Sequence, residues 1–204
     1  MDSKRKQKTA PSTCETFFCE MGLNPVAGVD EAGRGPLAGP VVACALILPP
    51  DCSIEGVTDS KKLSPTRREA LAKEIIAKAV DYNYGMVDAA QIDKINIHKA
   101  VLFAMAQAIE GLKHQPRVVL IDGKFSPALC IPSLCIIKGD THSHLIAAAS
   151  ILAKQTRDRI MCDLHHTYPQ YGFDKHKGYG TKAHIEALRQ YGPSPVHRLS
   201  YKYR

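Results

Sequence analysis

The chain has 204 residues, of which 45% are hydrophobic, and its formal net charge is +7 at pH 7. This length suits one sizeable domain with a real core, and no apolar run is long enough to suggest a transmembrane helix. A basic balance is typical of proteins that bind polyanions, nucleic acids above all, although solubility alone also accounts for it.

The first residues are predicted to lie outside the main domain. Residues 1–11 are predicted to form a basic arm. Residues 1–9 are basic and polar and are not followed by the apolar run of a secretory signal, so we expect a cytoplasmic protein. Ser12-Thr13-Cys14-Glu15 has the form of a capping box and predicts a short helix over residues 13–20. We therefore expect a basic arm with a short helix, residues 1–24, followed by a single domain, residues 25–204.

The cysteines and histidines do not indicate a zinc site or a disulfide framework. The seven cysteines are odd in number and include no CxxC pair, which fits a reducing compartment. Cys44 lies in an apolar run, where it is predicted to be a small core residue. His142 and His144 lie near a predicted helix start, where caps and surface residues are more common than metal ligands.

The remaining sequence alternates between strand-like and helix-like segments. Apolar runs predict strands over residues 26–31, 41–48, 82–87, 118–121 and 135–137. Helical patterns predict helices over residues 65–79, 97–111, 144–166 and 182–190. Ser64 and Asp88 are predicted to cap helical segments. Hairpin-like strands first, and helices between the later strands, predict an α/β fold.

The most informative feature is a carboxylate pair, Asp30 and Glu31, at the end of an apolar run and before a glycine-rich segment. Carboxylates are hard oxygen ligands that suit Mg²⁺ or Mn²⁺. Adjacent side chains on a regular strand face opposite ways, so both can serve one site only if the chain turns there. The following segment carries Arg34, which can donate to phosphate. The pattern indicates metal-assisted chemistry on a phosphate-bearing polymer.

Two further aspartates, Asp122 and Asp140, follow apolar runs in the same manner. Sites in open α/β sheets gather at strand ends, so these carboxylates are expected to converge with the first pair. Four converging carboxylates repel one another unless cations neutralise them, which a two-metal site would do. The structural alternative for Asp122 and Asp140 is a turn or cap, because a glycine lies beside each.

Three other segments are candidates for substrate binding. The segment Gly33, Arg34 and Gly35 is either a tight turn or a backbone clamp on a nucleotide. Lys61 is either part of a solvated loop or a phosphate contact. Tyr179 lies between glycines, where a large aromatic ring suits stacking on a base or sugar better than packing in a core.

Six sequence blocks occur in an order that resembles the ribonuclease HII family, the type 2 ribonucleases H. The blocks are DEAGRGP from Asp30, DSKKL from Asp59, IDG from Ile121, KGD from Lys138, AASILAK with RD from Ala148, and HKGYGT from His176. The resemblance extends over residues 26–189. It implies a ribonuclease H-like fold, with a central five-stranded mixed sheet flanked by helices and a C-terminal helical extension.

The resemblance also implies an activity. Members of this family are endonucleases that cut the RNA strand of RNA–DNA hybrids and nick duplex DNA at embedded ribonucleotides, leaving a 3′-hydroxyl and a 5′-phosphate. Mg²⁺ or Mn²⁺ is the implied cofactor, with two ions when substrate is bound. The implied partners are RNA–DNA hybrid and DNA containing ribonucleotides, with no membrane, and the protein is expected to be a monomer.

The family's residue roles carry over by position. The catalytic, metal-binding carboxylates correspond to Asp30, Glu31, Asp122 and Asp140. Gly33, Arg34 and Gly35 correspond to the segment that reads the ribose 2′-hydroxyl, and Tyr179 corresponds to the tyrosine at the ribonucleotide–deoxynucleotide junction. Asp158 is the alternative to Asp140, although an ion pair is its structural interpretation.

Two other functions are compatible with parts of this sequence. A non-catalytic hybrid-binding protein would keep the basic surface, but carboxylates without metal would repel phosphate. Another nuclease of the same fold, such as an integrase or a junction resolvase, would share the acidic residues, but is not expected to combine Gly33-Arg34-Gly35 with Tyr179.

Overall fold

The computed structural model describes residues 14–57, 60 and 63–202, and five strands there form one sheet. The strands are β1 (Val26–Ala32), β2 (Val41–Ile47), β3 (Asp81–Val87), β4 (Val118–Asp122) and β5 (Ser133–Ile136). Their order in the sheet is β3-β2-β1-β4-β5. Strands β1, β2 and β3 pair antiparallel, whereas β4 pairs parallel with β1 and with β5. The expected five-stranded mixed sheet is confirmed.

Helices cover both faces of this sheet. They are α1 (Cys14–Glu20), α2 (Pro65–Lys78), α3 (Ala89–Ile95), α4 (Ile97–Glu110), α5 (His144–Thr167), α6 (Phe173–His176) and α7 (Lys182–Tyr191). Helix α5 packs on β1 and β2 with α2 against it, and α4 packs on the opposite face. Two buried apolar clusters, one on each side of the sheet, form the core. Cys44 is fully buried on the α5 side, as predicted.

The predicted caps of two helical segments are confirmed. The Ser64 hydroxyl accepts a hydrogen bond from the backbone N–H of Arg67 at the start of α2. The Asp88 carboxylate accepts one from Gln91 at the start of α3. These side chains satisfy N–H groups that have no partner within the first helical turn.

The predicted capping box falls partly outside the described residues, but the structure gives Glu15 a further role. Its Oε1 atom accepts hydrogen bonds from the N–H groups of His144, at 2.8 Å, and Leu145, at 3.2 Å. Ser12 and Thr13 lie outside the described residues, so their part in a cap is not addressed. Glu15 thus caps α5, whose positive N-terminal end favours a carboxylate.

Gly28 allows α5 to approach the sheet closely. A Cβ atom at this position would lie 2.5 Å from the carbonyl carbon of Leu145 and 2.6 Å from its Cβ. No side chain fits at such distances, so glycine sets the spacing between β1 and the start of α5. The consequence is that the beginning of α5 lies directly against β1 at Gly28.

The C-terminal residues form a third apolar cluster that includes Tyr171 and Phe173. An isolated antiparallel bridge joins Ala38 to His197, which ties the end of the chain to the segment after β1. Helix α6, a single turn, was not predicted from the sequence. Within the residues that the structure describes, no helix is long and apolar enough to cross a membrane.

Candidate active site

The parallel strands β1 and β4 separate at the point where each carries an aspartate. The parallel pairing of β1 with β4 runs from Val26↔Val118 to Val29↔Ile121. Asp30 and Asp122 are the next residues on their strands, so they follow the last pair side by side. Two residues earlier, Gly28 pairs with Leu120, and Gly28 lies against Leu145 of α5. Because side chains two residues apart on a strand share a face, Asp30 and Asp122 both lie on the face that α5 covers. Ligand sites of α/β sheets form at such diverging strand ends.

The electrostatics of Asp30 show that it is close to other carboxylates. Burial raises the pKa of the Asp30 carboxyl well above its ordinary value, and the nearby charges of Glu31 and Asp122 raise it further. A hydrogen bond from the N–H of Glu31, 2.7 Å from Oδ1, opposes this shift. Like charges in a poorly solvated cleft disfavour the ionised form, and a bound cation would reverse that preference.

Glu31 lines the same cleft as Asp30, although β1 continues through Ala32. The turn expected from the sequence comes directly after β1, at Gly33, which lies two residues after Glu31 and has a φ of +105°. The Glu31 carboxylate pairs with Arg34, with Oε1 3.1 Å from Nη1. Half of the Arg34 side chain is exposed, which leaves it able to meet a substrate.

Asp140 lies in a short 3-10 helix, Gly139–Thr141, and not at a strand end as predicted. The preceding Gly139 donates its N–H to Asp122 Oδ1 at 2.7 Å, which holds this turn against β4. A Cβ at Gly139 would meet Ile146 Cδ1 at 2.6 Å, so the turn packs tightly on α5 as well. Asp140 therefore enters the cleft beside Asp122 by a turn and a short helix.

Asp158, the alternative to Asp140, is engaged elsewhere. Its carboxylate lies 2.7 Å from Lys154 Nζ and 3.3 Å from Arg68 Nη2. It does not line the cleft, whereas Asp140 does. These contacts agree with the interpretation of Asp158 as an ion-pair residue, and its partners are Lys154 and Arg68. The neighbouring Arg157 instead donates to backbone carbonyl groups.

Two buried arginines hold the glycine-rich segment in place. Arg157 donates to the carbonyl oxygens of Pro40, at 2.9 Å, and Ala38, at 3.1 Å. Arg198 donates to the carbonyl oxygens of Gly33 at 2.6 Å and Gly39 at 2.8 Å. Burial, and then the charge of Arg198, lower the pKa of Arg157 to about 10, so it stays charged at neutral pH. Neither arginine was predicted from the sequence to be part of the site.

Tyr179 faces the glycine-rich segment across the cleft. A Cβ atom built on Gly35 would lie 3.7 Å from Tyr179 Cε1, an ordinary contact distance. Tyr179 is 44% exposed, and Lys154 Nζ and the Arg157 guanidinium lie 5.9 and 6.0 Å from the centre of its ring. The ring thus has two cations near it and remains partly open to solvent, so it can serve as a stacking surface.

The floor of the cleft carries polar groups that the sequence analysis did not single out. Ser60, Arg68, Ser150 and Lys154 line it. Arg68 donates to the carbonyl oxygen of Ser60 at 3.0 Å, which holds that residue at the cleft. The buried Ser150 hydroxyl has no hydrogen-bond partner among the described residues. Ser60, Ser150 and Lys154 lie within the DSKKL and AASILAK blocks of the sequence, but only the folded structure shows that they and Arg68 line the cleft.

The structure brings nearly all the predicted site residues into this one cleft of about 780 Å³. The predicted residues among those that line it are Asp30, Glu31, Gly33, Arg34, Gly35, Asp122, Asp140 and Tyr179. Lys61 lies outside the described residues. Carboxylates gather where the two strands separate, and Arg34, Arg68, Lys138 and Lys154 supply positive charge around them. The cleft can therefore hold a cation and a phosphate together.

Comparison with known proteins places this chain in a family. The sequence profile of the family described as Ribonuclease HII matches residues 27–204. The chain belongs to the ribonuclease HII family. It is 55% identical over 187 residues to ribonuclease HII of Caldanaerobacter subterraneus subsp. tengcongensis, covering 92% of this chain and 78% of that protein.

Two further comparisons agree. Ribonuclease HII of Chlamydia trachomatis serovar L2 is 54% identical over 191 residues, covering 93% of this chain and 88% of that protein. The crystal structure of ribonuclease H2 from Pyrococcus horikoshii OT3 matches with a TM-score of 0.74 at 30% identity, covering 87% of this chain and 93% of that chain. Family membership makes the protein a metal-dependent ribonuclease H, an endonuclease that acts on RNA–DNA hybrids.

The donor set fits the divalent cation that the ribonuclease HII family requires. Within residues 14–57, 60 and 63–202, no three histidine, cysteine, aspartate or glutamate side chains form a ready-made metal cage. The carboxylates instead line an open cleft. That arrangement suits Mg²⁺, which retains several waters and is bound by one or two carboxylates together with substrate phosphates. The raised pKa of Asp30 is the sign of a cluster that a cation would stabilise.

Proposed function

We propose that this ribonuclease HII cuts the RNA strand of hybrids, nicks duplex DNA at single embedded ribonucleotides, and leaves a 3′-hydroxyl and a 5′-phosphate. Residues 25–204 would form its catalytic domain. The observation that carries the proposal is the position of Asp30 beside Asp122, past the last pair of β1 and β4, in a cleft shared with Arg34 and Tyr179.

In this proposal Asp30, Glu31, Asp122 and Asp140 hold Mg²⁺ or Mn²⁺, two ions when substrate is bound. When bound, the cations neutralise the carboxylates, lower the pKa of an attacking water and stabilise charge on the phosphate. The chain's own contribution is positional. Gly139 holds Asp122 through its N–H at 2.7 Å, and the N–H of Glu31 holds Asp30 at the same distance. Both carboxylates are thus oriented before any ligand arrives.

Substrate choice would come from the two facing segments. Gly35 has no side chain between its backbone and Tyr179, so a sugar can lie close to both. Backbone groups of residues 33–35 would bind the ribose 2′-hydroxyl, and a deoxyribose would leave them unpaired. Tyr179 would stack against the sugar beside the cut. Lys61 would add a phosphate contact in this scheme.

The deciding experiment is cleavage of three duplexes of one sequence: all DNA, DNA with one ribonucleotide, and a long hybrid. We expect Mg²⁺-dependent cleavage of the second and third, none of the first, and none at all in EDTA. Mass spectrometry of the fragments should show a 3′-hydroxyl and a 5′-phosphate. The folded variant Asp30→Asn serves as the matched inactive control.

The other outcomes separate the alternatives. Tight binding of the hybrid with no cleavage at saturating Mg²⁺ or Mn²⁺ would identify a hybrid-binding protein without catalytic activity. Cleavage of the all-DNA duplex would show that the 2′-hydroxyl is not read. Cleavage of the long hybrid alone would leave the ribonuclease activity intact and remove the junction part of the proposal.

A further inference from the structure

Three buried side chains form a continuous hydrogen-bonded chain that ends at the backbone of Tyr179. His184 Nδ1 lies 2.9 Å from the carbonyl oxygen of Tyr179. The Nε2 atoms of His184 and His197 lie 3.0 Å apart. His197 Nδ1 lies 2.9 Å from the backbone N of Ser194 and 2.8 Å from its hydroxyl. Neither histidine is more than 5% exposed.

The partners at the two ends determine the position of every proton in this chain. A carbonyl oxygen only accepts, so His184 must carry its proton on Nδ1 and donate it to Tyr179. A backbone N–H only donates, so His197 Nδ1 must accept from Ser194, and the neutral ring carries its proton on Nε2. His197 Nε2–H then donates to the free Nε2 of His184. Every ring nitrogen of the two histidines then has a hydrogen-bond partner.

This arrangement requires both rings to be neutral. A second proton on His184 would point at the Nε2–H of His197, and one on His197 would point at the N–H of Ser194. Burial, and then the charge of His184, lower the pKa of His197 to about 4, and burial lowers the pKa of His184 as well. Both rings are therefore neutral at physiological pH.

The groups that face the two rings from other elements reinforce this state. His176 of α6 stacks on His184 at 4.5 Å and is fixed by hydrogen bonds to Tyr171 and Gly178. Burial also lowers the pKa of His176, and Asp174 and Lys177 shift it in opposite directions. No carboxylate among the described residues accepts a hydrogen bond from His184 or His197.

We propose that His184 is a positioning residue for Tyr179, held in its donating tautomer by His197 and Ser194. The proposal rests on the role given to Tyr179 above. Tyr179 is 44% exposed, so the contacts of its ring with Lys154 and Arg157 fix the ring only in part. Its position depends on its backbone, where Thr181 N–H also donates to the Tyr179 carbonyl at 2.8 Å. Loss of His184 would therefore loosen the loop without unfolding it.

The test compares kcat/KM on a duplex with one ribonucleotide and on a long hybrid, for the wild type and two variants. His184→Phe keeps a ring and removes the donor to Tyr179. His184→Asn places an amide donor near the position of Nδ1. The ratio compared is kcat/KM on the single-ribonucleotide duplex divided by kcat/KM on the long hybrid. We expect His184→Phe to lower this ratio about fivefold, because one hydrogen bond is lost. We expect His184→Asn to restore the ratio. His166→Asn, on the exposed side of α5, is the matched control.

A structural role alone would reduce both activities equally, and that result, or no rescue by His184→Asn, would overturn the proposal. A second measurement applies whether or not His184→Phe folds. Nitrogen-15 NMR of the wild type should show a proton on Nδ1 of His184 and on Nε2 of His197. The opposite tautomers, or a charged ring near pH 7, would also overturn it. If the wild type cleaves neither substrate, the proposed function fails, and the NMR result still reports on the hydrogen-bonded chain.

Discussion

Arg198 Nη2 donates a hydrogen bond to the carbonyl oxygen of Gly33 at 2.6 Å, across 165 residues of sequence. The same guanidinium bonds to the carbonyl oxygens of Gly39 and Arg34 and to the hydroxyl of Tyr201. A planar group with five donors is suited to collecting several carbonyls at once. The last part of the chain therefore shapes the segment that is proposed to read the substrate.

We expect Arg198→Lys to destabilise the protein by about 3 kcal/mol, because a lysine cannot reach all these acceptors and leaves buried carbonyls unpaired. Urea unfolding measures the loss. Arg189→Lys, an exposed change on α7, is the control and should alter stability by less than about 0.5 kcal/mol. Equal stability of the Arg198 variant and the wild type would show that the guanidinium does not hold the segment.

Asp30→Asn and Asp122→Asn are each expected to abolish turnover while the fold stays intact. Each removes a charge from the cluster that a cation would neutralise. Mg²⁺ should raise the Tm of the wild type and raise that of the variants less, because a ligand stabilises only the state that binds it. Near wild-type cleavage by either folded variant at saturating Mg²⁺ would show that its carboxylate is not a ligand.

Asp140→Asn and Asp158→Asn are expected to have opposite effects. Asp140 lines the cleft, so its loss should remove most activity and little stability. Asp158 pairs with Arg68 and Lys154, and breaking a largely buried pair of this kind costs about 3 kcal/mol of stability. Activity and urea unfolding are measured side by side. A larger loss of activity from the Asp158 variant, measured well below its unfolding transition, contradicts the assignment.

The two glycines that flank Arg34 should respond differently to substitution. Gly35→Val should fold, because Gly35 has no positive φ and the added Cβ makes an ordinary contact with Tyr179, but its branched side chain should raise KM by obstructing the sugar. Gly33→Ala should destabilise the protein, since its φ is +105° and its Cβ would meet Pro40 O at 2.6 Å. Thermal unfolding and steady-state kinetics separate the two effects. A normal KM for Gly35→Val would place the substrate elsewhere.

Tyr179→Ala is expected to cost about 1–3 kcal/mol of binding through lost stacking. The loss should be larger on a duplex with one ribonucleotide, where one junction provides all the recognition, than on a long hybrid. Both substrates are compared at one salt concentration, because phosphate contacts depend on salt. Tyr179→Phe retains the ring and is the control. A uniform loss on the two substrates would mean that Tyr179 supports its loop and does not read the junction.

The strands, the main helices and the caps Ser64 and Asp88 could be predicted because their signals are local. The apolar run before Asp30 predicts the strand in which it lies. The hydroxyl of Ser64 caps a helix that begins at the next residue. The position of Asp140 was harder to predict, because the short apolar run before it was compatible with a strand end. A single 3-10 turn also has no distinct periodicity in the sequence. Glu15 also caps α5, through a contact that spans 129 residues and that no local pattern could predict.

The support of the site could not be predicted for a related reason. Arg157 and Arg198 look like ordinary charged residues in the sequence, and charged residues are mostly exposed. Their burial depends on carbonyl groups from distant segments, which only the assembled fold brings within reach. His184 and His197 are likewise paired by contacts between α7 and the C-terminal residues. The sequence therefore predicts carboxylates at strand ends, but it does not predict residues that hold other residues of the site in place.

The bridge between Ala38 and His197 also bears on when the protein can become active during its synthesis. A ribosome makes the carboxylates Asp30, Asp122 and Asp140 well before it makes residues 197 and 198. Early parts of a chain fold first as they emerge. The sheet can therefore form while the glycine-rich segment still lacks its C-terminal support. We expect a nascent chain to hold its carboxylates and remain inactive until His197 and Arg198 have left the ribosome and can support the glycine-rich segment.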